Sequence, residues 1–120
     1  MARILAVDDS NSLRLMVVHT LVGAGHDVVE AVDGGEGLQK ARDGRIDLAL
    51  VDVNMPVMDG ISLTRELRAL NAYRSTPILI LTTEFAPARK TEGRAAGATG
   101  WLVKPFSPSQ LLTVVGQVLA

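Results

Sequence analysis

Five short apolar runs, each followed by a segment with helical spacing, limit what this chain can fold into. The runs are Arg3 to Val7 (RILAV), Asp27 to Ala31 (DVVEA), Leu48 to Val51 (LALV, begun near Ile46), Ile78 to Leu81 (ILIL) and Gly100 to Lys104 (GWLVK). Each is too short for a buried helix and rich in the aliphatic residues of interior strands. Between them, Ser10 or Asn11 opens a helix with Leu13, Met16, Val17, Thr20 and Leu21 on one face, stopping near Gly23 and Gly25. Gly34 and Gly35 open a weaker one containing Leu38 and Ala41 and closed at Gly44, and Asp59-Gly60 precedes a third carrying Leu63, Leu67 and Leu70. Ala88 to Ala96 makes a poor helix of small residues around Gly93, an element held loosely. Ser107 caps the last helix, Pro108 takes its first position, and Leu111, Leu112, Val115, Val118 and Leu119 are expected to bury it.

Regular strand–helix alternation predicts an α/β fold, a single doubly wound five-stranded parallel sheet with helices on both faces. Right-handed crossovers leave few strand orders. The flavodoxin-like order 2-1-3-4-5 sets strands 1 and 3 side by side at the switch point, where open sheets bind ligands. A chain of 120 residues accommodates this as one domain, 1–120. With one Trp, one Tyr and two Phe, its core rests on aliphatic residues. Twelve Lys and Arg against 13 Asp and Glu argue against a large electrostatic footprint for nucleic acid, leaving room only for a local patch. The absence of Cys excludes disulfides and thiolate metal sites and suits a reducing cytoplasm. The amino terminus reads as neither a signal peptide nor a membrane span.

The strand ends carry the chemistry. Strand 1 runs into Asp8 and Asp9, strand 3 into Asp52, strand 4 into Thr82 and strand 5 into Lys104. In the order 2-1-3-4-5 these groups converge. Three carboxylates in one crevice repel one another, by about 4 kcal/mol per pair at roughly 4 Å and an effective dielectric near 20. Either one keeps its proton at a raised pKa or a cation is bound. Hard oxygen donors without Cys or a neighbouring His point to Mg²⁺, which commonly shares its coordination with phosphate oxygens. Lys104 adds a point charge suited to phosphate and Thr82 a hydroxyl donor. Such a centre is built to receive a phosphoryl group on a carboxylate. Taken singly, each residue has a plainer role: Asp8 or Asp9 as a helix cap, Lys104 as a solvated turn, Thr82 as a strand end, Asn54 and Pro56 as turn residues, and Asp59 as a cap in preference to a ligand. His19 and His26 lack metal-ligand spacing and read as structural.

With VDDS at Val7 to Ser10, DVNMPVMDG at Asp52 to Gly60, ILTTE at Ile80 to Glu84 and KPF at Lys104 to Phe106, the chain resembles a response-regulator receiver domain of two-component signalling, close to the single-domain chemotaxis regulators. The resemblance runs from Ile4 through the last helix. It implies that Asp52 accepts a phosphoryl group from the phosphohistidine of a sensor histidine kinase. Asp8, Asp9, Asp52 and the Asn54 backbone carbonyl would hold Mg²⁺, and Thr82 and Lys104 would bond phosphoryl oxygens. The Lys104-Pro105 peptide is expected to be cis. Trp101 stands where the family usually has the Tyr or Phe that turns inward with the hydroxyl residue, Phe85 is bulkier than the family's usual residue there, and Asn54 and Glu84 stand where self-hydrolysis is tuned.

The implied protein is a cytoplasmic monomer rather than an enzyme in the turnover sense. It would slowly hydrolyse its own aspartyl phosphate, with a phosphatase as a further partner. It would signal through the face of the fourth helix, fifth strand and fifth helix to a protein such as a flagellar switch component. No effector domain is expected, since the last helix uses the chain to Ala120. Readings without a motility output are a phosphate sink, a phosphorelay receiver or a phosphorylation-independent interaction module. A flavin site would need a neutral, hydroxyl-rich loop in place of DDSN. An aspartyl phosphatase would carry its nucleophile on strand 1, and the G-x-x-x-x-G-K-[ST] loop of nucleotide enzymes is missing.

Overall fold

The computed structural model describes residues 2–55, 57–83 and 87–120. Five strands, β1 (Arg3–Val7), β2 (Asp27–Ala31), β3 (Leu48–Asp52), β4 (Ile78–Thr82) and β5 (Gly100–Val103), alternate with five helices. These are α1 (Asn11–Gly23), α2 (Gly34–Asp43), α3 (Gly60–Ala69), α4 (Pro87–Ala96) and α5 (Pro108–Leu119). All strand pairs are parallel in the order β2-β1-β3-β4-β5, as the alternation predicts.

Side-chain alternation along the inner strands divides the core in two. Ile4, Ala6, Leu48, Leu50, Leu79 and Leu81 face α1 and α5, where they meet Val17, Leu21, Leu111 and Val115. Leu5, Val7, Ala49, Val51 and Ile78 face α2 and α3, against Leu38, Ala41, Leu63 and Leu67. Because both faces are covered, β3 and β4 are buried at every position. Each leucine or isoleucine so removed from water contributes about 1.5–3 kcal/mol, which lets so few aromatics suffice. A smaller cluster of Val53, Ile61, Ile80 and Ala96 joins α3 to α4.

Helix starts follow local chemistry. Ser10, Asp33, Asp59 and Ser107 are N-caps whose side chains accept from Leu13, Glu36, Ser62 and Gln110 backbone N–H groups. At α5 the Gln110 side chain returns the bond to Ser107, completing a capping box. Two expectations need correction. Leu112 is 37 % exposed, because Leu111 and Val115 take the sheet side of α5 and Leu112 lies about 100° round the helix. Leu70 leaves the helix as the extended C-cap of α3 and leads into a 3-10 turn, Asn71–Tyr73. That turn buries Tyr73, whose hydroxyl donates to the Ala41 and Gly44 carbonyls. Among the described residues no helix is long and apolar enough to cross a membrane.

Candidate functional site

The site lies at the carboxyl ends of β1, β3, β4 and β5. Register places Val7 beside Val51 and Asp52 beside Leu81, so the residues that leave β1 and end β3 emerge together at the switch point. Asp8, Asp9 and Asp52 each offer a carboxylate oxygen, all within 4.8 Å of one another. Asp8 and Asp52 are buried, while Asp9 is exposed. Lys104, the residue after β5, donates from Nζ to Asp52 Oδ1 at 2.6 Å and lies 3.5 Å from Asp8 Oδ2. Its own backbone N–H bonds the Thr82 carbonyl at 2.8 Å, which joins the two site residues of β4 and β5. Thr82 is buried as well. The Lys104-Pro105 peptide is cis, as the resemblance implies.

Burial raises the Asp52 pKa above its ordinary 3.8; Asp8 and Asp9 add to the rise, and the Lys104 hydrogen bond and charge oppose it. Unit charges 4.8 Å apart repel by about 3.5 kcal/mol at an effective dielectric near 20, and among the described residues Lys104 is the cation paired with these carboxylates, so the centre keeps a negative charge. Among the described residues, Asp8 Oδ2 is buried without a hydrogen-bond partner. A buried carboxylate oxygen of that kind, beside two more within coordinating reach, fits a small hard cation. Among the described residues, Asp8, Asp9 and Asp52 are thus a group able to hold Mg²⁺. Asn54 is exposed in the loop after β3. Glu84, Phe85 and Pro56 lie outside the described residues.

The loop between β3 and α3 is closely packed. Gly60 N–H donates to the Val53 carbonyl at 3.0 Å, and Asp59 caps α3 as expected. Gly34 packs against Met58, where a β-carbon would stand 2.5 Å from the Met58 carbonyl oxygen. Trp101 is half-buried and lies on Gly93 of α4, a glycine with room for an indole and for nothing more. That helix is therefore keyed to β5 rather than merely poor. His26 accepts the Ala2 N–H at Nδ1 and His19 is exposed on α1, apart from the site. The sequence reading passes over Arg14, whose guanidinium bonds the Asp8 carbonyl. Its one sequence signal is its place a turn into the helix that follows the paired carboxylates.

Fold, acidic centre and lysine together define a receiver. The family model for the response regulator receiver domain matches residues 4–116, and the chain belongs to that family. Protein PilH of Pseudomonas aeruginosa is 37 % identical over 120 residues, covering 100 % of this chain and 99 % of that protein. The structure of chemotaxis protein CheY4 of Vibrio cholerae superimposes with a TM-score of 0.97 at 55 % identity, covering 99 % of both chains. The receiver domain of sensor histidine kinase PA1611 from Pseudomonas aeruginosa, solved with magnesium coordinated in its active-site cleft, aligns with a TM-score of 0.91 at 30 % identity, covering 98 % of this chain and 97 % of that one.

Proposed function

We propose that the chain is a phosphoryl-accepting response regulator in which Asp52 takes its phosphoryl group from a phosphohistidine of a sensor histidine kinase. The observation that carries this reading is the Asp52 carboxylate, buried at the end of the central strand and held by Lys104 at 2.6 Å within the acidic cluster. An Asp52 oxygen attacks phosphorus as the P–N bond breaks, the electron pair leaves on the imidazole nitrogen, and an acyl phosphate results. Lys104 exchanges its carboxylate partner for a phosphoryl oxygen, and the Thr82 hydroxyl bonds another. Asp8, Asp9, Asp52 and the Asn54 carbonyl hold Mg²⁺, which when bound offsets charge on the transferring group. Water later returns carboxylate and inorganic phosphate, at a rate tuned by Asn54 and Glu84 and accelerated by a phosphatase.

Bonds to the phosphoryl group favour one of two arrangements of α4, β5 and α5, with Trp101 moving alongside Thr82. That face is read by a downstream protein, such as a flagellar switch component, in the cytoplasm. The likeness to a chemotaxis protein supports a motility-type output.

Intact mass after exposure to acetyl phosphate, with and without Mg²⁺, tests the reading. A Mg²⁺-dependent gain of one phosphoryl group, lost in Asp52→Asn, is the expected result. No gain in a folded protein would sink it in favour of a phosphorylation-independent interaction module.

A further inference from the structure

We propose that Arg14 is a positioning residue for the divalent-cation site, an inference that rests on the reading of Asp8 and Asp9 as metal ligands. Its side chain is 13 % exposed and its three nitrogens reach the loop after β1, the first residue of α1 and β2. Nη1 donates to the Asp8 backbone carbonyl at 2.7 Å, Nη2 to Asn11 Oδ1 at 2.7 Å, and Nε to Glu30 Oε1 on β2 at 3.0 Å. A guanidinium is planar and its donors have fixed directions, so anchoring two of them aims the third.

The aim matters because of which carbonyl is held. The Asp8 oxygen belongs to the planar peptide unit joining Asp8 to Asp9. Holding that oxygen restrains the peptide plane that ends at the Asp9 α-carbon, from which the Asp9 side chain departs. Asp8 itself is held at every other polar atom: its N–H donates to the Ala31 carbonyl at 3.1 Å, and its Oδ1 accepts the Ser10 N–H at 2.8 Å. The atom left without a hydrogen bond among the described residues is Oδ2, the buried oxygen of the acidic centre. The loop is thus set in advance with two carboxylates presented against their mutual repulsion.

A purely electrostatic role for Arg14 predicts the opposite sign. A cation this close to the carboxylates disfavours Mg²⁺, so neutralising it would tighten binding. The positioning role predicts weaker binding whether or not the charge is kept, by roughly tenfold, as for other residues that orient metal ligands.

Calorimetric titration of the full chain with Mg²⁺, without phosphodonor, separates these outcomes for wild type, Arg14→Lys and Arg14→Gln. A Kd raised roughly tenfold in both variants supports the proposal. Wild-type affinity in Arg14→Lys, or tighter binding in Arg14→Gln, overturns it. If neither variant folds, Asn11→Ala decides, because it frees one anchor of the guanidinium on an exposed residue without changing any charge. A weaker Kd there supports positioning and an unchanged one overturns it. A wild-type protein that takes up no Mg²⁺ would overturn the site reading and this proposal together, whereas normal uptake with unaffected variants overturns the proposal alone.

Discussion

Gly60 stands against the backbone of Asp52. A β-carbon there would lie 2.3 Å from the Asp52 carbonyl oxygen and 3.0 Å from Val51 Cγ1. The obstacle is main chain at the end of a buried strand, and it cannot swing aside. Gly60→Ala should therefore cost about 1–3 kcal/mol or more, as overpacking does. The urea midpoint should fall with an unchanged slope. Phosphoryl uptake from acetyl phosphate should slow as well, since the backbone of Asp52, the proposed acceptor, must shift. A variant of wild-type midpoint and rate would refute this.

Lys104→Met should destabilise the protein by on the order of 3 kcal/mol at neutral pH, because it strands a buried carboxylate without its cation. The Asp52 and Lys104 side chains are 6 % and 17 % exposed, so water replaces little of what is lost. The penalty should shrink in mild acid, where Asp52 can take up a proton and shed the unpaired charge. Urea unfolding at neutral and mildly acidic pH reads both parts.

The raised pKa of Asp52 fixes the sign of a pH dependence. Unfolded, the carboxyl titrates near 3.8; folded, burial first and Asp8 and Asp9 next hold its proton to higher pH, against the opposing Lys104 bond. Between those two values the native chain binds more protons than the unfolded one. The group's stabilising contribution is therefore full below 3.8, is lost as pH rises through the folded value, and stays lost above it. Mg²⁺ held by Asp52 as proposed would compete with that proton. The rise in melting temperature on adding Mg²⁺ should be largest at neutral pH and fade in acid, and Asp52→Asn should flatten the trend.

The strands and the acidic centre were legible because their signals are local. β1 is an aliphatic run between Arg3 and the paired carboxylates and β2 a short Val-containing one after Gly25, and the bounds expected of both match the structure. Asp8, Asp52 and Lys104 sit directly after or at strand ends, so strand order alone brings them together. Arg68 shows what is not legible. It donates to the carbonyls of Tyr73, Thr76 and Gly97, tying the segment after α3 to the end of α4, and burial lowers its pKa. Nothing near it in the chain marks an arginine whose partners are backbone oxygens up to 29 residues away and the Thr99 hydroxyl beyond them. Gly93 is illegible for a related reason. In the sequence it weakens a helix, and only the packed structure shows the indole that needs the space.

That indole supplies the last prediction. A β-carbon at Gly93 would stand 2.4 Å from Trp101 Cζ2, 2.8 Å from Cη2 and 3.2 Å from Ile80 Cδ1. Glycine to alanine in a helix interior ordinarily gains roughly 1 kcal/mol. Here the gain is opposed by about 1–3 kcal/mol of overpacking against a large, rigid ring. Steric displacement should win, making Gly93→Ala less stable than wild type. Because Trp101 is the chain's single tryptophan, its fluorescence reports the displacement directly, as a red shift on moving toward water. Trp101→Phe removes the ring atoms that clash. The two substitutions should therefore be less costly together than their sum, the signature of residues in contact. A Gly93→Ala protein of higher urea midpoint and unshifted emission would show that the ring has another place to lie, and that α4 is not keyed to β5 through this pair.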